Sequence, residues 1–384
     1  MHQNKAQLIT YPDSLGGNLA ALAKVLAAPL RDLFPGGVHI LPPYPSTGDR
    51  GFAPRTYDTI DPEFGTWDEI TSISSLAPVI LDIMINHISR ESAPFRELLA
   101  KGFPSRYADM FIPMEKIWPD GKPAAEDLEK IFLRRRAPFS TYPSGKHPEG
   151  ITVWTTFGAT DLSEQVDIDV FSPVTRLFLE NLLSRFAQHQ VSSLRLDAVG
   201  YVTKKRGTDC FFVEPDIFDF LNWLRETADR CNISLLPEIH APLPIQSNLA
   251  ANGFASYDFA SPFLILDALI HHNADYLVQY TKRRPPDMVT MLDCHDGIPV
   301  LPDIAGLLPA GHITATLDSV ANQPGTNFSR LYSREAVTDN VDVHQINATY
   351  FSALGSDEKA LLTARAIQLF LPGTPQVYYV GLLA

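Results

Sequence analysis

Cysteine is scarce in this 384-residue chain. There are three, Cys210, Cys231 and Cys294, far apart in sequence. That spacing excludes a disulfide framework and a cysteine knuckle for metal, and it points to a reducing compartment, the cytoplasm. Basic charge is also short: 31 Lys and Arg stand against 44 Asp and Glu, a formal net charge of −13. A nucleic-acid surface is therefore not expected. No apolar run approaches the length of a membrane span. The start, "MHQNKAQLITYPDSLGG", lacks the charged-then-apolar layout of a signal peptide. Internal repeats and low-complexity tracts are missing too. The expected partners are small molecules, and nothing in the sequence fixes an oligomeric state. What is present is ample core material. Hydrophobic residues make up 45% of a chain long enough for one large domain or a domain with insertions.

Short β-like runs alternate with helix-like stretches. The strand candidates are 6–11, 37–43, 78–87, 192–199, 234–240, 255–260, 288–296 and 375–381. Most are apolar throughout rather than alternating, as expected of parallel strands covered on both faces. Between them, "SPVTRLFLENLLSRFAQHQ" offers Ser172 as a cap, Pro173 in the first turn, and Leu177, Leu182, Leu183 and Phe186 as one apolar face. The stretches 215–231 and 356–371 read the same way. Eight strands with intervening helices predict an α/β fold, a (β/α)8 barrel. The eighth strand candidate ends three residues before the sequence does, with no helix expected after it.

Two spacings break the rhythm. The segment 89–171 is rich in proline and charge, and the segment 297–355 is loop-like around "ANQPGTNFSR". Loops this long are usually functional or small inserted domains. Both leave from strand C-terminal ends, the face where barrel active sites are built. The expected division is barrel at 1–88, 172–296 and 356–384, with insertions at 89–171 and 297–355.

The strand ends carry ionisable residues: Asp82, Asn86 and His87; Arg195 and Asp197; Glu238 and His240; His295 and Asp296. Any one of these also reads as a satisfied polar loop residue. As a set they suit glycosyl transfer. A retaining enzyme needs an ionised carboxylate as nucleophile and a protonated carboxyl as acid/base, about 5 Å apart. Asp197 lies two residues after Arg195, so both side chains face the same side of a strand, and a cation there keeps Asp197 ionised. Partial burial and a nearby anion favour a protonated Glu238. A metal-dependent hydrolase is the competing reading, since His and Asp at strand ends also suit Zn²⁺. The first strand has no His-x-His and no dense histidine cluster occurs, so no metal is expected, and glycosyl transfer by two carboxyls implies no organic cofactor.

"DIMINH", "LRLDAVGY", "EIH" and "LDCHDG" resemble the four signature segments of the α-amylase superfamily, glycoside hydrolase family 13. "QLITYPDSLGGNL", "GVHILPPYPSTGDRGFAP", "FGTWDEI" and "ARAIQLFLPGTPQVYYVGLLA" are similar to its sucrose phosphorylase branch. "YADMF", "FLRRRAPFST" and "VDVHQIN" look most like the members that phosphorolyse sucrose 6-phosphate. The resemblance implies a barrel with domains inserted after strands three and seven. It implies reversible phosphorolysis of sucrose 6-phosphate to α-glucose 1-phosphate and fructose 6-phosphate. Asp197 would be the nucleophile, Glu238 the acid/base and Asp296 the transition-state stabiliser. Asp49, His87, Arg195 and His295 would bind the glucosyl group. Phe157 and Gln165 would line it, although Phe157 alone reads equally as a core aromatic. Tyr201, His240 and Gln345 would belong to the substrate site, and Arg134 and His344 would hold the phosphate of fructose 6-phosphate.

Members of that branch continue past "YYVGLLA" with a closing barrel helix and a C-terminal β domain. The sequence ends at Ala384, so both are expected to be absent from it. Three other readings stay open: phosphorolysis of sucrose, glucosylglycerol or glucosylglycerate; hydrolysis or transglucosylation; and an incomplete barrel without activity.

Overall fold

The structure is a computed structural model. It describes residues 5–331 and 341–383, except for the side chain of Asp49. Eight strands form one sheet. They are β1 (Gln7–Thr10), β2 (Gly37–Ile40), β3 (Val79–Met84), β4 (Ser193–Asp197), β5 (Ser234–Pro237), β6 (Ser256–Asp258), β7 (Met288–Thr290) and β8 (Thr374–Tyr378). Their order is β6-β7-β8-β1-β2-β3-β4-β5. Pairing is parallel wherever a register is defined. This is the strand sequence of a (β/α)8 barrel, nearly closed. Every residue of β3 is buried, and so are four of the five in β4. That is why these runs read as continuously apolar.

The helices include α1 (Leu19–Ala27), α2 (Trp67–Ser74), α3 (Pro173–Gln188), α4 (Asp216–Arg230), α5 (Leu243–Ala251), α6 (Ser261–His271), α7 (Ala310–Ala321) and α8 (Glu358–Phe370). Local chemistry sets several starts. Thr66 and Glu69 form a capping box at α2. The Ser172 hydroxyl accepts from the Val174 amide at α3, and Asp357 caps α8. The buried stripe of α3 is Leu179, Leu182, Leu183 and Phe186. Leu177 is not part of it and is 59% exposed. Nine residues separate Leu177 from Phe186, roughly two and a half turns, so they face opposite ways.

Contacts divide the chain into two compact units. One comprises Met1–Thr10, Val25–His39 and Ile239–Ala384, the other Tyr11–Lys24 and Ile40–Glu238. In the second unit, the segment after β3 holds two antiparallel pairs, His87–Ser89 with Gln165–Asp167 and Phe139–Tyr142 with Ile151–Trp154. They pack with Phe95, Phe111 and Val166 into a small core. In the first unit, the segment after β7 carries a three-stranded antiparallel sheet of Ile298–Pro299, Val343–Asn347 and Asn327–Arg330. Its core joins α6 to Ile298, Val300, Ile313, Leu317 and Ile346. The last strand is shorter than its apolar run suggests. It ends at Tyr378, and Tyr379–Leu383 turn directly into a five-residue helix. Among the described residues no helix is long and apolar enough to cross a membrane.

Candidate active site

The strand register assembles the centre of the second unit. Asp82 of β3 lies opposite Arg195 of β4, and Met84 opposite Asp197. Arg195 in turn lies opposite Leu236 of β5, two residues before Glu238. One guanidinium therefore meets three carboxylates. Nη1 bonds Asp82 Oδ1 and Asp197 Oδ1, the latter at 2.9 Å, and Nη2 lies 3.8 Å from Glu238 Oε1. Asp82 is fully buried, and Arg195, Asp197 and Glu238 nearly so. A buried cation of this kind is tolerated because it is paired with carboxylates and hydrogen-bonded to two of them.

Two further contacts fix the acids. The chain turns into the left-handed region at Ala198, φ 53°. The Ala198 amide then donates to Glu238 Oε2 at 2.8 Å, while the Glu238 amide donates to the Leu196 carbonyl at 3.1 Å. Behind Asp197, the hydroxyl oxygen of Tyr57 accepts from the Met84 amide at 3.0 Å. Burial pushes the Tyr57 phenol far above its usual range, and the negative charges of Asp197 and Asp82 add to that. Tyr57 thus stays a neutral phenol beside the carboxylates.

Around this centre the same unit gathers a polar and aromatic wall. The Phe52 carbonyl accepts from His87 Nε2 at 2.9 Å and from Gln165 Nε2 at 3.2 Å. The Phe52 ring lies under Arg195 at 5.7 Å. His87 packs on Phe157 at 5.5 Å, and Phe157 meets Tyr201 edge-on at 5.1 Å. The Arg134 guanidinium lies over Phe157 at 5.7 Å, with Nη1 3.5 Å from the Tyr201 hydroxyl. Phe157 is thus part of this wall.

The three arginines of "FLRRRAPFST" part company. Arg134 reaches the aromatic wall. Arg135 is buried and donates to Ser140 Oγ (2.9 Å), Thr155 Oγ1 (2.6 Å) and the carbonyls of Thr160 and Asp161. Arg136 is exposed.

The remaining candidates, Asp49 apart, lie in the first unit. His240 donates from Nδ1 at 2.8 Å to Asp303, whose other oxygen accepts from the Ala241 amide at 3.0 Å. The His240 ring stacks on Phe259 at 3.9 Å and meets His344 edge-on at 5.4 Å. His344 is buried and donates from Nδ1 to the Leu301 carbonyl at 2.6 Å. Gln345, the next residue of the strand, points to the opposite face and is half-buried. Asp296 is 39% exposed at its side chain, 3.4 Å from the buried His295. The backbone of Asp49 lies in a short 3₁₀ turn, and its side chain falls outside the described residues.

Sequence reasoning missed three groups. Asp303 anchors His240 from 63 residues away. Tyr57 backs Asp197. Lys204 is buried and pairs with Asp167 at 2.8 Å and with Asn86 Oδ1 at 2.8 Å. None sits in a motif, and no local period marks them. Among the described residues, two groups have ligand atoms close enough for a metal: Cys294, His295 and Asp296, and Asp267, His271 and His312. The first coincides with the signature segment whose His295 and Asp296 are expected to bind substrate.

The profile "Alpha amylase, catalytic domain" matches residues 17–246. Sucrose 6(F)-phosphate phosphorylase of Thermoanaerobacterium thermosaccharolyticum is 53% identical over 383 residues, which cover 100% of this chain and 78% of that enzyme. Sucrose phosphorylase of Streptococcus mutans is 41% identical over 99% of this chain and 78% of its own length. A crystal structure of sucrose 6F-phosphate phosphorylase from Thermoanaerobacter thermosaccharolyticum superposes with TM-score 0.97 at 52% identity, over 100% of this chain and 78% of that one.

Proposed function

We propose, on the premise that this chain belongs to the α-amylase family and to its sucrose-phosphorylase-type glycosyltransferases, that it phosphorolyses sucrose 6-phosphate through a covalent glucosyl-enzyme. The observation that carries the reading is the carboxylate pair at the ends of β4 and β5. Asp197 and Glu238 share one guanidinium, and the residue after Asp197 holds Glu238 by its amide. Two neighbouring carboxyls with different partners suit the two roles a retaining mechanism needs.

Asp197 attacks the anomeric carbon as the bond to the fructosyl oxygen breaks, and Glu238 gives that oxygen its proton. A phosphate oxygen then attacks the same carbon. The ester bond to Asp197 breaks, and Glu238 recovers a proton from the phosphate. The product is α-glucose 1-phosphate with retained configuration. Arg195 keeps Asp197 anionic and oriented between the steps. His87, Gln165 and Phe157 form the wall against which the glucosyl ring rests. Arg134, over Phe157 and beside Tyr201, is the cation that meets the acceptor phosphate. For Asp49, His240, His295, Asp296, His344 and Gln345 the substrate roles rest on the family resemblance. The reaction needs only small molecules, sugar phosphate and inorganic phosphate, and suits the cytoplasm.

The deciding experiment measures glucose 1-phosphate release from sucrose 6-phosphate and from sucrose, with and without inorganic phosphate. Sucrose 6-phosphate should be preferred by tenfold or more, with turnover dependent on phosphate. Equal use of both sugars, or a preference for glucosylglycerol or glucosylglycerate, would overturn the acceptor assignment. Turnover independent of phosphate would replace phosphorolysis by hydrolysis.

A further inference from the structure

Helix α6 is apolar along nearly its whole length, and Asp267 sits within it almost fully buried. A buried carboxylate in such a helix requires a partner. His271 follows one turn later on the same face, and His312 comes from α7. Asp267 Oδ1 lies 3.7 Å from His271 Nε2 and 3.6 Å from His312 Nδ1. Both gaps exceed a hydrogen bond, which closes at about 3.2 Å. They come instead within a few tenths of an ångström of the edge of a tetrahedral coordination shell. Ligands about 2.0–2.2 Å from a central Zn²⁺ stand roughly 3.3–3.5 Å apart.

We propose that Asp267, His271 and His312 form a binding site for a Zn²⁺-class divalent transition metal that ties α6 to α7. Two imidazoles and one carboxylate are the donor set such ions prefer, whereas Mg²⁺ and Ca²⁺ select oxygen. His312 Nδ1 is buried and has no hydrogen-bond partner, although its ring is 38% exposed. The atom is thus aimed at Asp267 and away from water. Thr316, one turn after His312 on α7, is fully buried and donates to Asp267 Oδ1 at 2.8 Å. It orients the carboxylate as an outer-shell partner does. The Thr316 oxygen accepts from His271 Nε2 at 3.1 Å, and metal binding would exchange that bond for a ligand bond. The half-exposed histidines provide the entry path, and a chain of net charge −13 attracts cations. The bridge would join residues 271 and 312 across a stretch that contains β7, a staple that stabilises the folded state by mass action.

The test is calorimetric titration of metal-stripped protein with Zn²⁺, for the wild type, His271→Gln, His312→Gln and His295→Gln. The wild type should bind one Zn²⁺ at about micromolar affinity or tighter, and its melting temperature should rise by several degrees. His271→Gln and His312→Gln should each lose tenfold or more in affinity and lose the melting shift. Their metal-free melting temperatures should stay near the wild type's, because both rings reach solvent. His295→Gln should retain the site. A wild type that binds no Zn²⁺ below about a millimolar overturns the proposal. So does an undiminished site in both variants, or a site lost with His295.

Discussion

The backbone amide of Ala198 donates a 2.8 Å hydrogen bond to Glu238. Ala198 follows Asp197, so the turn that ends one strand holds the acid that ends the next. The left-handed backbone at Ala198 aims that amide, and the two carboxyls are positioned by one local feature. Glu238→Gln keeps the acceptor oxygen and loses the transferable proton. Turnover of sucrose 6-phosphate should fall by about 10³-fold or more, while α-glucosyl fluoride, whose leaving group needs no proton, should still glucosylate the enzyme. Equal losses on the two donors would remove Glu238 from the acid role.

Asp197→Asn should abolish transfer with the fold intact, since a covalent mechanism loses its intermediate with its nucleophile. The loss should exceed about three orders of magnitude. Residual activity above roughly a tenth of wild type, a barrier change of about 1.4 kcal/mol, would place the nucleophile elsewhere.

Arg134 and Arg135 are neighbours with different tasks. Arg134→Ala should weaken kcat/KM for sucrose 6-phosphate by roughly ten- to a hundredfold, the value of one or two charged hydrogen bonds, and leave sucrose nearly unchanged. Arg135→Ala removes the cation that holds two buried hydroxyls, Ser140 and Thr155, to the carbonyls of Thr160 and Asp161. It should lower unfolding free energy by roughly 2–4 kcal/mol, with no discrimination between the sugars. Urea melts and paired kinetics separate the two outcomes, and a substrate-selective loss in Arg135→Ala would contradict this division of labour.

Asp82 is fully buried against Arg195. Asp82→Ala should destabilise the protein by about 3 kcal/mol, the usual result of breaking a buried pair from one side. A change under about 1 kcal/mol in chemical denaturation would mean that Asp197 alone neutralises the guanidinium.

Asp293 gives a pH dependence. Burial raises its carboxyl above the usual value, against the lowering by the Tyr350 amide and by Arg365. The folded state then holds the Asp293 proton more tightly than the unfolded chain, where the carboxyl titrates near about 3.9. Its stabilising contribution is complete below that value and is lost as pH rises through the folded one. In thermal melts from pH 4 to pH 8, Asp293→Asn should gain on the wild type as pH rises, because its neutral amide avoids the buried charge. A difference that does not change with pH would show that Asp293 titrates normally in the fold.

The sequence by itself determined the barrel and its acids. Continuous apolar runs such as "VILDIM" can be buried on both faces only as inner parallel strands, and a two-residue strand period puts Arg195 and Asp197 on one side. The polar ends of those runs therefore named Asp197 and Glu238 without coordinates. Tertiary structure decided what no local period carries. Which arginine of three turns inward depends on where Ser140 and Thr155 lie, one on a strand and one just past the end of its partner strand. Asp303 reaches His240 across 63 residues, and His312 reaches Asp267 across 45. Leu177 is apolar yet 59% exposed, on the side of α3 away from the buried stripe. Contacts of this range are set by how elements pack, and packing is a property of pairs of segments that neither segment states alone.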